Sequence, residues 1–290
     1  MSEHRELVSL VALLRYGSFQ TSQMALRQRL IDGDLPSKIL TEDAEQSSLY
    51  QRATRDVESW REAGEKPLSW LEESYPEQLR DVHDFPPIIF VRGKLVTNDR
   101  GVCIVGARNA DDEAVEMARA MAAQLVARDW TVVSGLAKGI DTAAHSEALY
   151  RGGRTVAVIG NGIDRYYPPQ NRYMQQRIER DGLVLSQFWP GMAPTKYSFP
   201  MRNAVMSAYA NATIIVAADE KSGTRHQARQ AVAHGRPVVV MRSVYENTTW
   251  GRRIADDSSV LARVVDRADD AVNEAIKMAE FGFSELPHLW

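Results

Sequence analysis

Six short, largely apolar segments between residues 102 and 241 constrain this chain more than any other feature. They lie at residues 102–105, 131–133, 155–159, 183–185, 214–216 and 238–241. Such segments are typical of strands in a parallel sheet whose two faces are both covered by helices. Because they alternate with helical stretches over short connections, the sequence predicts an α/β fold with a doubly wound, mostly parallel sheet.

The chain before this pattern has helical rather than strand periodicity. Helices are predicted at residues 5–16, 22–31 and 42–63. We therefore predict an N-terminal α-helical domain over residues 1–66 and the α/β domain over residues 67–280. Residues 281–290 are expected to form an aromatic-tipped C-terminal tail, to which the sequence assigns no role.

The charge distribution is uneven although the total is small. The net charge of −3 does not by itself indicate a nucleic-acid binder. Residues 187–242 carry seven Lys or Arg against two acids, whereas residues 41–81 carry eleven acids against five Lys or Arg. The basic sector is compatible with local phosphate binding, and equally with an ordinary solvated surface.

The cysteine content and the hydropathy of the chain indicate the cellular compartment in which it is expected. Cys103 is the single cysteine, so no disulfide can form within the chain, and a reducing cytoplasm is expected. Its apolar neighbours predict a small core residue. No apolar run approaches the roughly 18 residues of a membrane span, and no signal peptide is apparent. We therefore expect a cytoplasmic protein without membrane partners.

Three glycine-bearing loops follow predicted strands, at residues 106–109, 134–141 and 160–162. Ligands of parallel sheets gather at the carboxyl ends of the strands, and glycine lets backbone N–H groups approach a phosphate. The candidate phosphate-binding residues are Gly106, Ser134, Gly135, Gly139, Gly160 and Gly162. The spacing is neither G-x-G-x-x-G nor a P-loop, which disfavours a nicotinamide enzyme. The alternative is that these glycines only make tight turns.

Five side chains are candidates for contact with a nucleic acid. Arg108 follows the first glycine and can pair with a phosphate, and Lys138 in the second loop is a weaker candidate. Lys196, Phe199 and Arg202 form a compact group in which the ring can stack a base and the cations can follow the backbone. Phe199 can equally be a core aromatic.

No residue pattern indicates catalysis or a metal ion. Asp141 is expected to be the N-cap of a helix, and His145 four residues later is expected to bond to it structurally rather than as an acid–base pair. His226 and His234 show no metal-ligand spacing with a Cys or a pair of Glu. We therefore predict no catalytic site, no metal and no cofactor.

Several motifs together resemble the DprA/Smf DNA-processing family. Their order and spacing match over roughly residues 75–272. The motifs are Tyr-Pro-Glu-Gln-Leu at 75–79, the stretch 86–93, Gly-Ala-Arg-Asn at 106–109, the stretch 133–145, the stretch 160–168 and Phe-Pro-Met-Arg-Asn at 199–203.

The resemblance implies an extended Rossmann-like domain that binds single-stranded DNA in a basic pocket. It further implies a homodimer that loads a RecA-type recombinase during natural transformation. The family's pocket cation corresponds to Arg108, its Lys-x-x-Phe contact to Lys196 and Phe199, and its Phe-Pro-x-Arg-Asn motif supplies Arg202 and Asn203.

Departures from the family pattern leave other functions open. Ala204 stands where the family usually has another arginine, and residues 222–227 differ from the usual Ser-Gly-Ser-Leu-Ile-Thr. No C-terminal winged-helix domain is expected. The alternatives are a nucleotide-binding sensor or nucleotide-cleaving enzyme of this fold, and an antitoxin-like module with a toxin or defence partner.

Overall fold

One sheet organises the molecule. Over the residues that it describes, which are 2–17, 19, 23–42 and 45–285, the computed structural model has nine strands in the order β1-β2-β6-β5-β4-β3-β7-β8-β9. The strands are β1 Lys66–Ser69, β2 Ile88–Gly93, β3 Gly101–Gly106, β4 Thr131–Ser134, β5 Thr155–Val158, β6 Leu183–Ser186, β7 Ala212–Ala217, β8 Val238–Met241 and β9 Ala262–Val265. From β6 to β9 all neighbours are parallel, whereas β1 and β2 add an antiparallel edge. The predicted doubly wound, mostly parallel sheet is confirmed.

Helices cover the sheet and form the N-terminal part. They are α1 Ser2–Val11, α2 Gln23–Ile31, α3 Pro36–Leu40, α4 Gln46–Glu62, α5 Asp112–Ala127, α6 Ile140–Tyr150, α7 Arg172–Asp181, α8 Ser198–Tyr209, α9 Thr224–Ala233, α10 Arg242–Asn247, α11 Thr249–Ala255 and α12 Ala268–Glu285. A π-helical turn, Ala12–Tyr16, extends α1. None of the helices in the described part of the chain is long and apolar enough to cross a membrane.

One predicted domain limit lies at the start of the sheet, and the other lies inside the last helix. Four helices precede β1, which begins at Lys66, beside the predicted limit at residues 66 and 67. Helix α12 continues to Glu285, five residues into the predicted tail. Residues 286–290 of that tail lie outside the described residues. The division into domains stays a prediction, because apolar side chains of α1 to α4 belong to the same buried cluster as the sheet.

The strand order reverses beside β3. The chain passes from β3 to β4, β5 and β6 on one side, and β7, β8 and β9 then continue on the other side of β3. The loops after β3 and β7 therefore leave the sheet in opposite directions, which opens a crevice at the carboxyl ends of these strands.

Helix α8 begins earlier than the sequence indicates. The Phe-Pro pair at 199–200 favours a non-helical start, but α8 begins at Ser198, so Pro200 lies in the first turn, where its missing N–H needs no partner. Thr195 and Ser198 exchange side-chain bonds: the Thr195 N–H donates to Ser198 Oγ at 3.0 Å and the Ser198 N–H to Thr195 Oγ1 at 3.1 Å. This reciprocal cap fixes the turn that carries Phe199.

Candidate nucleic-acid interface

The three glycine loops and the start of α8 meet at the crevice, where they line two adjoining cavities. The cavities measure about 440 and 290 Å³ and share Arg108, Phe199 and Arg202 in their walls. The smaller is completed by the second and third glycine loops and by Tyr167. The larger extends toward the first turn of α9. The fold thus brings together segments that lie nearly a hundred residues apart.

Phe199 stands between the two cavities with a cation over its ring. The Arg108 guanidinium carbon lies 5.3 Å from the ring centroid. The ring of Tyr167 is 5.7 Å away at a tilt of 40°. Phe199 also packs against Gly160, where an added Cβ would lie 3.0 Å from the ring. Phe199 is half-buried and Arg108 exposed, so a ring and a cation face the same open space.

Arg202 turns inward from the same helix. Arg202 is only 6% exposed. Nη1 donates to the carbonyl oxygen of Val158 at 2.8 Å and to that of Gly135, and Nε donates to Asn203 Oδ1 at 3.0 Å. The guanidinium therefore ties β5 and the loop after β4 to α8. Its predicted phosphate contact stays a prediction, whereas these bracing contacts are observed.

Arg202 also faces the carboxylate of Asp141. Burial lowers the pKa of Arg202 and raises the pKa of Asp141, and the opposite charge of each group opposes the shift of the other. The two charges compensate each other beneath the loop. A buried charge of this kind is tolerated only with such a partner.

The two predicted lysines lie on the surface around the cavities. Lys138 is exposed and lines the smaller cavity. Lys196 is exposed two residues before α8, and its Nζ lies 4.9 Å from the ring centroid of Tyr197. With Arg108 they put three exposed cations on or beside these loops.

The glycine loops are shaped by close packing. An added Cβ at Gly135 would overlap the Arg202 guanidinium. Gly139 has φ +75°, and a Cβ there would overlap the carbonyl oxygen of Ala107 in the first loop. The Ser134 hydroxyl is buried and donates to the carbonyl oxygen of Ile104 at 2.7 Å, so it serves the sheet. Gly106 and Gly162 also border other backbone closely.

Two predictions about Asp141 are wrong. Gly139, not Asp141, is the N-cap of α6, because its positive φ starts the helix earlier; Asp141 lies in the first turn and accepts from the Ala137 N–H at 3.2 Å. His145 does not bond to Asp141. Its Nδ1 lies 2.7 Å from Thr155 Oγ1, which itself donates to a carbonyl and so accepts from the imidazole.

The low pKa of His145 argues against acid–base chemistry between Asp141 and His145. The residue is fully buried, and burial lowers its pKa to about 3. The imidazole is therefore neutral at pH 7, and its Nδ1 bonds to the Thr155 hydroxyl rather than to a carboxylate.

The sequence analysis did not single out Tyr167, which lines the smaller cavity, or Arg172, a few residues further along the chain. Tyr167 was quoted only as part of a motif, yet it extends the aromatic surface beside Phe199. Arg172 lies 4.9 Å from the ring centroid of Tyr166 and adds an exposed cation to the start of α7. The available signal was the alternation of aromatic and basic residues over 165–173, which is typical of single-strand binding surfaces.

Comparison with protein families and curated proteins gives consistent matches. A family model described as DNA recombination-mediator protein A matches residues 66–275. The chain is 38% identical over 172 residues to DNA processing protein DprA of Streptococcus pneumoniae, covering 59% of this chain and 61% of the relative. It is 32% identical over 191 residues to DprA of Bacillus subtilis, covering 65% and 64%. The matched part therefore spans less than two thirds of these relatives.

Two solved structures are similar over most of the fold. The X-ray structure of DprA from S. pneumoniae superposes with a TM-score of 0.69 at 26% identity, covering 93% of this chain and 95% of that one. A structure concerned with the unique single-stranded DNA binding mode of DNA processing protein A from Helicobacter pylori gives a TM-score of 0.63 at 25% identity, covering 73% and 96%.

Proposed function

This chain belongs to the DNA recombination-mediator protein A family of DNA-processing proteins, and on that premise we propose that it binds single-stranded DNA. The observation that carries the proposal is the half-buried Phe199 ring beneath the Arg108 guanidinium, at the mouth of two cavities. A ring with a cation beside it matches the two parts of a nucleotide, the base and its phosphate.

Each residue has a physical role in this proposal. A base stacks on Phe199, with Tyr167 offering a second ring, and each stacked base contributes about 1–3 kcal/mol. Arg108 and the exposed Lys138 and Lys196 neutralise phosphates along the strand. Since stacking and phosphate contacts are available to every base, we expect little sequence preference.

Arg202 and Asn203 are buried and support the loop after β4 from beneath. They hold the loop after β4 against α8, and the loop in turn presents its backbone to the cavity. Their contribution to DNA binding is therefore indirect, through the shape of the loops.

The test is an anisotropy titration of labelled oligo-dT. Phe199→Leu keeps an apolar side chain but removes the stacking ring, so we expect roughly tenfold weaker binding, or about 1.4 kcal/mol. Arg180→Ala is the matched control for an Arg108→Ala variant. Arg180 is also an exposed arginine, but it lies in the last turn of α7 and lines neither cavity. Equal affinity of wild type, Phe199→Leu and Arg108→Ala would refute the proposal.

Partner proteins and assembly are part of the same proposal. The family description, a recombination mediator, supports delivery of a RecA-type recombinase onto the bound strand. We further propose that the protein acts as a homodimer in the cytoplasm. Light scattering at increasing concentration tests the dimer. Filament assembly by a recombinase on strands pre-coated with single-strand-binding protein tests the delivery. Co-purification with a toxin or defence protein instead would favour the antitoxin-like alternative.

A small nucleotide is the second candidate ligand. The larger cavity reaches from Gly106 to the first turn of α9 at Gly223 and Thr224, and Gln227 lines it with a buried Oε1 that has no hydrogen-bond partner in the structure. A helix start and an unsatisfied amide oxygen suit a phosphate and a base N–H. Calorimetric binding of nucleoside monophosphates that competes with oligo-dT would favour this candidate, and release of free base would make the protein an enzyme.

A further inference from the structure

Two histidines and an aspartate meet away from the strand-end cavities. His83 and Asp84 lie between β1 and β2, and His234 directly follows α9, 150 positions later. One ligand atom from each residue lies within 4.8 Å of the other two. Helix α9 has ten residues, about 15 Å, between this cluster and the first turn that lines the larger cavity.

Hydrogen bonds orient the His234 ring. Its Nδ1 lies 2.6 Å from Ser207 Oγ, in α8. The Ser207 hydroxyl donates to the carbonyl oxygen of Ala204 at 3.3 Å, so its oxygen is free to accept from Nδ1–H. Histidines that bind metals are commonly held in this way, by a hydrogen bond to the ring nitrogen that faces away from the ion.

The other ring nitrogen then faces a carboxylate. His234 Nε2 lies 2.8 Å from Asp84 Oδ1. With the proton on Nδ1, the Nε2 lone pair and the Asp84 carboxylate are directed into one space, which a cation can occupy. Without an ion, the other tautomer of the ring donates Nε2–H to the carboxylate.

His83 adds a third possible metal ligand to His234 and Asp84. Its exposed ring stands 5.9 Å from the His234 ring at 68°, so a second imidazole nitrogen borders the same space. Two imidazoles and one carboxylate form a donor set suited to Zn²⁺. Because His83 is exposed, its ring can rotate to close the ligand distances.

We propose that His83, Asp84 and His234 bind one divalent transition-metal ion, with zinc preferred, while Ser207 orients His234. The ion fastens the segment before β2 to the far ends of α8 and α9. These two helices carry Phe199 and the wall of the larger cavity in their first turns, so the ion braces the scaffold behind the binding face.

The test uses the full chain, stripped of metal with a chelator and dialysed. Titration with Zn²⁺ followed by calorimetry is expected to give one site per chain, and Co²⁺ is expected to give the visible absorption of a four-coordinate ion. Zn²⁺ raises the Tm. His83→Ala changes only an exposed side chain, so it keeps the fold by circular dichroism, binds Zn²⁺ at least tenfold more weakly and loses most of the Tm shift.

His226→Ala is the matched control, because His226 is an exposed histidine on α9 itself. It is expected to bind Zn²⁺ as the wild type does. The proposal is overturned if the wild type takes up neither Zn²⁺ nor Co²⁺, if His83→Ala binds as tightly as the wild type, or if His226→Ala loses the site instead.

Discussion

Phe199 and Arg202 lie three residues apart on one helix, but the first borders the cavities and the second is buried. The Phe199 ring borders the open cavities, whereas the Arg202 guanidinium passes beneath the loop after β4. That path exists only because Gly135 has no side chain, since a Cβ there would overlap the guanidinium. Gly135, which the sequence analysis assigned to phosphate binding, therefore leaves the space that the Arg202 guanidinium occupies.

We expect Gly135→Ala to displace Arg202 and to destabilise the protein by roughly 1–3 kcal/mol, the usual cost of overpacking a filled site. Oligo-dT affinity falls with it because the loop moves. Urea unfolding measures the free energy. Gly223→Ala is the control, since a Cβ there meets no atom within 4 Å and its φ of −60° suits alanine. Equal stability of both variants would show that Arg202 does not depend on Gly135.

The neutral state of His145 makes stability depend on pH. An unfolded histidine titrates near 6.5, whereas burial lowers the pKa of His145 in the folded state to about 3. The unfolded chain therefore binds more protons between these values, so stability is full above pH 6.5 and is lost as the pH falls toward 3.

His145→Gln removes this titration. We expect its free energy of unfolding between pH 4 and 6 to fall less steeply than that of the wild type, by a slope of up to one proton. Urea unfolding at a series of pH values measures both slopes. Parallel curves for the two proteins would mean that His145 is not the group responsible.

At the scale of elements, α8 links the cap, the proposed binding surface and the core. The exchange between Thr195 and Ser198 starts the helix, and Phe199 follows at once. Further along, Ser207 orients His234 at the other side of the molecule. Loss of the cap should therefore act on the surface first, because the later turns are held by buried contacts.

We expect Ser198→Ala to cost about 1 kcal/mol of stability, a typical value for a lost cap. Its effect on oligo-dT affinity should exceed that of an equally destabilising core change, since Phe199 loses its fixed position. Ser47→Ala, at an exposed position inside α4, is the control and should be nearly neutral. If Ser198→Ala leaves both stability and affinity unchanged, the cap does not fix the turn.

At the scale of the whole molecule, local charge rather than total charge governs the proposed binding. The chain carries −3 overall, so no long-range attraction to DNA follows from its composition. The exposed Arg108, Lys138 and Lys196 are instead gathered by the reversal of strand order beside β3.

Three phosphate contacts give a defined salt dependence. For single strands the slope of log K against log salt concentration is about −0.7 per neutralised phosphate, so we expect roughly −2 for the wild type. Arg108→Ala should flatten it by about 0.7. Anisotropy titrations at several salt concentrations measure both slopes. A wild-type slope near zero would exclude phosphate contacts as the source of binding.

The sequence by itself determined the fold class, the family and the loops that line the two cavities. It did so because strands covered on both faces must be apolar along their length, and because loops after parallel strands must share one edge. The six apolar segments and the glycine motifs carried this information locally.

Only the tertiary structure decided what individual polar groups do. Arg202 and Asp141 compensate each other, His145 bonds to Thr155, and His234 meets Asp84 across 150 positions. These partners come from segments joined by packing, and a buried polar group takes whichever partner packing brings to it. Residue spacing along the chain therefore indicated which loops line the cavities, but not which side chains face them.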